Sequence, residues 1–232
     1  TLEMAEERIA ERIDANLLDV TIDDLHSMPK QLYDDKMNKL RGKTAGKLII
    51  KEYPTASAHS GHFKSLINEL ALKKSFKPDV VFVDYLNICA SSRFKGGNIS
   101  SYFYIKAIAE ELRGLAVEHN VPIFSATQTT RTGFVSTDIG LEDTSESFGL
   151  PATADFMFAL ISNEELEALG QMKVKQLKNR YNDPSVNRAF IIGVDRSKMR
   201  LYDVQQSSQN IVDSNQVDEK EDAYNKFSDF KL

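Results

Sequence analysis

The chain has 232 residues, of which 41% are hydrophobic and 27% are charged. This composition is typical of a soluble globular protein with enough chain to bury a core. The net charge of −5 argues against a protein that binds nucleic acid over its whole surface, but it does not exclude local basic patches. The single cysteine, Cys89, excludes an internal disulfide framework and suits a reducing compartment. No apolar run approaches the length of a membrane span. We expect a cytoplasmic protein.

Helical patterns dominate the first part of the chain. Apolar residues recur at helical spacing over residues 5–18, and further helices are expected from Thr21 and over residues 30–40. The segment KLIIKE, residues 47–52, predicts a strand. Residues 60–74 predict another helix, and we interpret His59 and His62 as part of its start rather than as metal ligands, because no third ligand follows at a suitable spacing.

The central stretch, residues 77–131, predicts a strand, a helix and a second strand. Residues 80–83 and 122–126 are continuous apolar runs, as in parallel strands that are covered on both faces. Between them, residues 99–119 carry apolar side chains at helical spacing. A unit of this length is a right-handed parallel crossover, and ligands of such sheets bind beyond the carboxyl ends of the strands.

Asp84 and Gln128 each follow one of these two strands. A carboxylate after four apolar strand residues is the arrangement of a Walker B strand, in which Asp84 would hold Mg²⁺ through water beside the phosphates of a nucleotide. The neutral amide of Gln128 could hydrogen-bond a γ-phosphate. Both residues also have a plainer interpretation, Asp84 as a cap and Gln128 as the first residue of a loop.

The patterns change after the central unit. Residues 155–161 (DFMFALI) predict another buried strand, and residues 172–177, 189–194 and 198–204 alternate like antiparallel strands at a sheet edge. We place the end of a single domain, 1–204, at this point. Residues 205–232 form a polar tail with six acids and three lysines, which we expect to remain outside the core as a solvated terminus or a partner-binding peptide.

Gly42-Lys43-Thr44 is not a phosphate-binding loop. A Walker A motif needs G-x-x-x-x-G-K-[ST] after a strand, whereas position 37 is Met and a charged helical segment precedes the triplet. Either the chain is not a nucleotide hydrolase, or a segment that carries the loop precedes Thr1. We expect the second, because the sequence starts abruptly without an initiator Met.

Five short motifs, in order over residues 2–184, resemble those of hexameric replicative DNA helicases of the DnaB type. They are Leu2-Glu3-Met4, Asp84-Tyr85-Leu86, Thr127-Gln128-Thr129-Thr130-Arg131, Glu146-Ser147 with Ala154-Asp155, and Lys178-Asn179-Arg180 continuing to Pro184. Each motif alone is weak, but their order and spacing are specific. The divergent loops between them are similar to those of phage members of the family. If the protein is encoded by a phage, the expected location is the host cytoplasm.

The resemblance implies a role for each motif. Glu3 would polarise the attacking water, while Asp84 and Gln128 would face Mg²⁺ and the nucleotide. Arg180 would be an arginine finger that reaches the nucleotide of a neighbouring subunit, and Lys178 would share the phosphate. A finger acting in trans requires an oligomer, and the family implies a ring of six. Taken alone, Glu3 could equally be an acid at a helix start, and Lys178 and Arg180 could form a solvated strand face.

Two loops beyond the strand ends are candidates for contact with DNA. The first loop combines two cations, Arg93 and Lys95, with Gly96, Gly97 and Asn98. The second loop, residues 129–149, contributes Arg131, Thr132 and Gly133. Loops as long as the second are usually functional or disordered. In the resembling family both loops line a channel that carries single-stranded DNA. Contact with the DNA backbone alone suits a protein that must move along DNA of any sequence.

We therefore predict an α/β, RecA-like fold, with a mostly parallel central sheet, helices on both faces and antiparallel edge strands. The predicted function is the motor domain of an ATP-dependent replicative DNA helicase that uses Mg²⁺ and moves along single-stranded DNA, 5′→3′ by family resemblance. Its implied partners are further copies of itself, primase, a helicase loader and other replisome proteins.

Two alternatives stay open from the residues alone. One is a recombinase or clock-type ATPase built on the same sheet, and the other is a RecA-like interaction domain without enzymatic activity. Two features favour the helicase. Glu3 stands where the resembling family has a catalytic Glu after its second strand, and the pair Lys178 and Arg180 stands near the C-terminal strands. Without a P-loop, this chain by itself is expected to hydrolyse ATP poorly or not at all.

Overall fold

The computed structural model describes residues 1–44, 46–94, 99–129, 139–143, 149–183, 186 and 188–205. The chain divides into two compact units, Thr1–Asp155 and Phe156–Leu232, and each is described by itself. The predicted tail, 205–232, lies outside the described residues except for Gln205. The single domain ending at residue 204 therefore stays a prediction.

Three helices begin the first unit: α1 (Glu6–Leu18), α2 (Ile22–Ser27) and α3 (Lys30–Arg41). Helix α2 starts where the sequence indicates, because the Thr21 hydroxyl accepts a hydrogen bond from the backbone N–H of Asp24 at 3.0 Å and caps the first turn. The Tyr33 hydroxyl donates to the Asp14 carboxylate at 2.7 Å, which ties α3 to α1. The Gly42-Lys43-Thr44 triplet follows α3 rather than a strand, as expected for a sequence that is not a phosphate loop.

Two helices and two parallel strands build the core of the first unit. The helices are α4 (Ser60–Lys74) and α5 (Ser101–His119), and the strands are β1 (Val81–Val83) and β2 (Ile123–Ser125). The two strands pair in parallel with Val83 opposite Ser125, so the predicted strand–helix–strand crossover is confirmed. The buried side chains of this core include Phe63, Ile67, Val83, Ile105, Ile108, Leu112 and Leu115.

Helix α4 begins with a reciprocal cap made by two histidines. The His59 ring accepts a hydrogen bond from the Gly61 N–H at 3.0 Å, and the His62 ring accepts one from the His59 N–H at 3.2 Å. These bonds satisfy backbone donors that the first helical turn leaves open. The interpretation of both histidines as helix-start residues is confirmed.

Alternate side chains of β1 and β2 point to opposite faces of the sheet. Val83 joins the core, whereas Phe82 is 68% exposed and Phe124 is 49% exposed. The rings of Phe82 and Phe124 stack with their centroids 5.3 Å apart. The prediction that both strands are covered on both faces is therefore wrong for the part of the chain that the structure describes, where one face is buried and the other is an exposed aromatic face.

The strand predicted over residues 47–52 is wrong, because the structure assigns no strand there. Among the described residues, backbone partners are found at the end of the segment: the Thr1 backbone nitrogen donates to the Lys51 carbonyl at 2.9 Å, and the Tyr53 N–H donates to the Thr1 carbonyl at 3.0 Å. Leu48 is 63% exposed. A strand requires a neighbour for its backbone groups, and no strand of the described residues pairs with this segment.

A short helix, α6 (Gly149–Thr153), leads to the second unit, which is built on a four-stranded antiparallel sheet. Its strands run in sequence order as β3 (Phe156–Ile161), β4 (Gln171–Asn179), β5 (Ala189–Asp195) and β6 (Arg200–Asp203), with α7 (Glu164–Ala168) between the first two. The three antiparallel strands predicted from residue 172 onward are confirmed, although β4 extends two residues further than expected.

Strand β3 is present but is not buried on both sides as predicted. Ala159 and Ile161 are buried, whereas Phe156, Phe158 and Leu160 are 48–54% exposed. The reason is its pairing: β3 runs antiparallel to β4, and antiparallel strands commonly bury one face only.

Within the described residues, parallel pairing is confined to β1 and β2, and the larger sheet is antiparallel. Helices combined with both kinds of sheet place the chain in the α/β class that the sequence predicts. None of the described helices is long and apolar enough to cross a bilayer.

Candidate functional site

Asp84 and Gln128 lie beyond the carboxyl ends of two paired strands, β1 and β2. The pairing continues past the strands, because the Leu86 N–H donates to the Ala126 carbonyl at 3.2 Å. The Gln128 side-chain amide donates to the Tyr85 hydroxyl at 3.1 Å. The residue after Asp84 is thus tied directly to Gln128, and the structure brings the two predicted site residues to one edge of the sheet.

Glu3 reaches the same edge through the residue before it. Leu2 is buried, with 3% of its surface exposed, and its backbone N–H donates to the Asp84 carbonyl at 2.8 Å. The Thr55 hydroxyl donates to the Leu2 carbonyl at 2.7 Å, so the backbone of Leu2 is held on both sides. Glu3, the next residue, is exposed and is therefore presented beside the end of β1.

The edge of the sheet thus carries two carboxylates and one amide, all exposed on a backbone that the core fixes. Carboxylate oxygens are the ligands that Mg²⁺ prefers, usually with several waters retained. A second carboxylate next to a metal-binding one can orient a water molecule, and an amide can donate to a phosphate oxygen. The donor set fits a hydrated metal ion and a phosphate group.

Lys178 and Arg180 belong to the second unit. Lys178 lies on β4 opposite Met157, and Arg180 is the exposed residue that follows the strand. The Asn179 side-chain oxygen accepts hydrogen bonds from the backbone N–H groups of Tyr181 and Asn182, both at 3.1 Å. Such a turn is characteristic of asparagine, and here it fixes the backbone at Arg180.

Of the residues predicted to bind DNA, the structure describes Arg93. Its guanidinium pairs with the Glu110 carboxylate on α5 at 2.5 Å, and both side chains are partly exposed. Five further predicted residues, Lys95, Gly96, Gly97, Asn98 and Arg131, lie outside the described residues. The same holds for Thr132 and Gly133.

Two features of this region were not found from the sequence. One is the Tyr85 hydroxyl as a partner of Gln128, which only the pairing of the strand ends reveals. The other is a buried carboxylate, Glu111 on α5, which accepts hydrogen bonds around the residues that precede Arg93. The sequence carries no local signal of it, because its donors Ser60 and Ser91 lie 51 and 20 residues away.

Cys89 lies in the core beside this region and is chemically quiet. It is 2% exposed, and burial raises the pKa of its thiol to about 12. The thiol therefore stays protonated near neutral pH and acts as a small apolar residue.

Comparison with known proteins identifies the chain's relatives. The sequence profile of the DnaB-like helicase C-terminal domain matches residues 1–211. The chain is 46% identical over 211 residues to a DnaB-like replicative helicase of Enterobacteria phage T4, which covers 90% of this chain and 44% of that protein. A probable plasmid replicative DNA helicase of Chlamydia trachomatis is 33% identical over 133 residues, covering 56% of this chain and 28% of that protein. The chain thus spans less than half the length of the curated relatives it matches.

Solved structures agree in fold. A structure described as an ATPase domain superposes with a TM-score of 0.71 at 18% identity, covering 88% of this chain and 73% of that one. A DnaB-like replicative helicase, solved in a study of its interactions with primase, superposes with a TM-score of 0.69 at 17% identity, covering 88% of this chain and 49% of that one. The RecA-like fold that the sequence predicts is confirmed by these neighbours. With a family profile matched over most of its length, the chain belongs to the DnaB-like helicase C-terminal domain family.

Proposed function

We propose that this chain is the motor part of a replicative helicase that couples ATP hydrolysis to movement along single-stranded DNA and to unwinding of the duplex at a replication fork. The family and its replicative relatives support helicase activity in general. Movement on one strand, with 5′→3′ polarity, is the finer part of the proposal. A helicase that acts on replicating DNA inside a host cell would be located in the host cytoplasm, and the proposal includes that location.

One observation carries the proposal: Glu3, Asp84 and Gln128 converge at the carboxyl edge of β1 and β2. The Leu2–Asp84 backbone hydrogen bond and the Gln128–Tyr85 side-chain hydrogen bond, at 2.8 and 3.1 Å, hold them there. These residues come from three separate parts of the chain. Their convergence supports a shared chemical task more strongly than any single motif does.

Each residue has a task in the hydrolysis of a γ-phosphate. Asp84 would hold Mg²⁺ through water, and the bound ion would neutralise phosphate charge. Glu3 would orient the attacking water and accept its proton as the water oxygen bonds to the γ-phosphorus and the bond to ADP breaks. Gln128 would donate to a γ-phosphate oxygen while it keeps its hydrogen bond to Tyr85. Release of the phosphate would remove one hydrogen bond of Gln128 and so affect the ends of both strands.

Lys178 and Arg180 would complete the site from a neighbouring subunit. The Asn179 turn fixes the backbone at Arg180 on an exposed position, which suits a cation that reaches outward. An arginine finger contributes on the order of 10³–10⁵ to the rate. A site shared in this way requires a ring, which has six subunits in the resembling family. We also propose primase as a partner, because a structurally similar DnaB-like helicase was studied with its primase. A helicase loader and further replisome proteins are proposed on the family alone.

DNA would be held by the loop that begins at Arg93 and by the loop around Arg131 to Gly133. Lys95, Gly96, Gly97 and Asn98 would contribute cations and close backbone approach to phosphates. Contacts of this kind are independent of sequence and weaken steeply with salt. The proposal therefore includes a strong salt dependence of DNA binding despite the net charge of −5.

The test is a matched pair of carboxylate changes in the full-length natural protein. We expect Glu3→Gln to lower ATP turnover with single-stranded DNA by about 10²–10⁴ while nucleotide binding is retained. The control is Glu7→Gln, an exposed acid in the first turn of α1, which should leave turnover within about twofold. Equal turnover by the two variants would contradict the role of Glu3, and no turnover in the parent protein would favour an interaction domain without enzymatic activity.

A further inference from the structure

Glu111 is a buried acid on α5 that the proposed hydrolysis does not use. Its exposed fraction is 9%. One carboxylate oxygen accepts from the Ser91 hydroxyl at 2.6 Å and the other from the Ser60 hydroxyl at 2.8 Å. The backbone N–H of Ser92 lies 3.0 Å from both oxygens. Within the described residues, the partners of this carboxylate are therefore hydroxyl and amide donors.

Such a carboxylate needs several donors to be stable. Burial alone would raise the pKa of Glu111, but the hydrogen bonds from Ser91, Ser92 and Ser60 outweigh that effect and lower the pKa below its ordinary value. A buried acceptor with its donors in place rigidifies its surroundings, whereas the same group left unpaired is costly. The site is thus built to hold the Ser91-Ser92 backbone in one position.

The network leads directly to the first cation of the proposed DNA loop. The Ser91 hydroxyl, which donates to Glu111, also accepts from the backbone N–H of Arg93 at 3.2 Å. The Ser91 N–H donates to the Tyr104 hydroxyl at 3.1 Å. Residues 91–93, which we name the loop start, are therefore fixed to α5 through Glu111 and Tyr104.

The neighbouring acid, Glu110, forms ion pairs instead, one of them with Lys106 on the same helix at 3.9 Å. Glu110 pairs with the guanidinium of Arg93, and the two side chains are 36% and 50% exposed. An ion pair of that exposure is weak and can be exchanged for a DNA phosphate. Glu111 holds the backbone of the loop start, and Glu110 holds the charged end of Arg93.

We propose that Glu111 is a positioning residue for DNA binding, which fixes the loop start through Ser91 and Ser92 so that Arg93 is presented to the phosphate backbone. The inference rests on the proposed function, because it takes single-stranded DNA as the ligand of this loop. It adds a residue outside the loop itself and predicts opposite effects of changing two adjacent acids.

The first test uses two serines that donate to the same carboxylate. Ser91→Ala and Ser60→Ala each remove one hydroxyl donor from Glu111, but only Ser91 also holds the Arg93 backbone. Single-stranded DNA binding is measured by the fluorescence anisotropy of a labelled oligo-dT in the full-length protein. We expect Ser91→Ala to weaken binding about 3–10-fold and Ser60→Ala to leave it within about twofold.

Salt dependence separates positioning from a general loss of structure. If Ser91→Ala removes the Arg93 phosphate contact, the slope of log K against log salt should fall by about 0.7, the value for one phosphate on a single strand. A variant that is merely less stable keeps the parent slope. Thermal unfolding of both variants provides the control for stability.

The second test uses the adjacent acids. Glu111→Gln and Glu110→Gln remove the same charge, so a long-range electrostatic effect would strengthen DNA binding in both. We expect Glu110→Gln to strengthen binding about two- to threefold, because Arg93 loses its ion-pair partner, and Glu111→Gln to weaken it about tenfold. If Glu111→Gln fails to fold, Glu111→Asp, which keeps the charge but shortens the side chain, takes its place and should also weaken binding.

The outcomes distinguish this inference from the proposed function. Weaker binding by both Glu111→Gln and Ser91→Ala, each with the lower salt slope, beside parent-like Ser60→Ala, supports the inference. Equal behaviour of the two serine variants, or stronger binding by both glutamine variants, overturns it while the proposed function stands. A parent protein that does not bind oligo-dT overturns both.

Discussion

The hydrogen bond between Gln128 and Tyr85 allows a quantitative test of how the two strand ends act together. The change is Tyr85→Phe, which removes the hydroxyl that accepts from the Gln128 amide at 3.1 Å. Both groups are neutral and Gln128 is exposed, so the bond belongs at the lower end of the usual range, about 0.5–1 kcal/mol. Since about 1.36 kcal/mol corresponds to tenfold in rate, the expected loss of turnover is about 2–5-fold.

A double-mutant cycle assigns this loss to the bond itself. Turnover of ATP with single-stranded DNA is measured for the parent, Tyr85→Phe, Gln128→Ala and the double variant in the full-length protein. Once Gln128 lacks its amide, Tyr85→Phe should have no further effect, so the two changes are non-additive by about 0.5–1 kcal/mol. The control is Tyr33→Phe, which removes a 2.7 Å hydrogen bond to Asp14 away from the strand ends and should leave turnover unchanged. A Tyr85→Phe effect of the same size in both backgrounds would refute the coupling.

Two further predictions concern stability. Ile108 is 2% exposed in the core between α4, α5 and β1, so Ile108→Ala should lower the free energy of unfolding by about 2–5 kcal/mol. The control, Val117→Ala at a 73% exposed position on the same helix, should change it by less than about 0.5 kcal/mol. Urea titration measures both, and equal effects would mean that Ile108 does not lie in this core. The pKa of Glu111 is lowered from its ordinary value of 4.5, so its stabilising effect is complete above pH 4.5 and is lost as the pH falls through the lower folded value. The stability difference between the parent and Glu111→Gln should therefore be constant above about pH 5 and shrink below about pH 4.5, and a difference that grows on acidification would contradict the network.

Much of the first unit could be predicted because its signals are local. Apolar spacing located α1, α4 and α5, and the capping hydroxyl of Thr21 marked the start of α2. The rule that parallel strands end at one edge predicts from the sequence that Asp84 and Gln128 lie close together. Local pattern and a topological rule were sufficient here.

What the sequence could not supply depends on distant partners. Residues 47–52 have the composition of a strand, but a strand exists only where another one pairs with it. The apolar run of β3 suggested burial on both faces, while its antiparallel partner leaves Phe156 and Phe158 half exposed. Glu111 looks like an ordinary polar position of a helix, because its donors Ser60 and Ser91 lie 51 and 20 residues away in the sequence.

We propose that a neighbouring subunit completes the site with Arg180, and mixing two inactive variants provides the decisive experiment. ATP turnover with and without single-stranded DNA is measured for full-length Glu3→Gln, for Arg180→Ala and for a 1:1 mixture of the two. Arg188→Ala, an exposed arginine on the other arm of the same hairpin, is the control and should keep turnover within about twofold.

Each variant alone should lose at least about 10²-fold in turnover. In the mixture, an interface is complete when a subunit with intact Glu3 meets a neighbour with intact Arg180. Random assembly of a head-to-tail ring produces this combination at about a quarter of the interfaces. We therefore expect DNA-stimulated turnover to return to about a quarter of the parent value. No recovery in the mixture, or parent-like turnover by Arg180→Ala alone, would contradict a site shared between subunits.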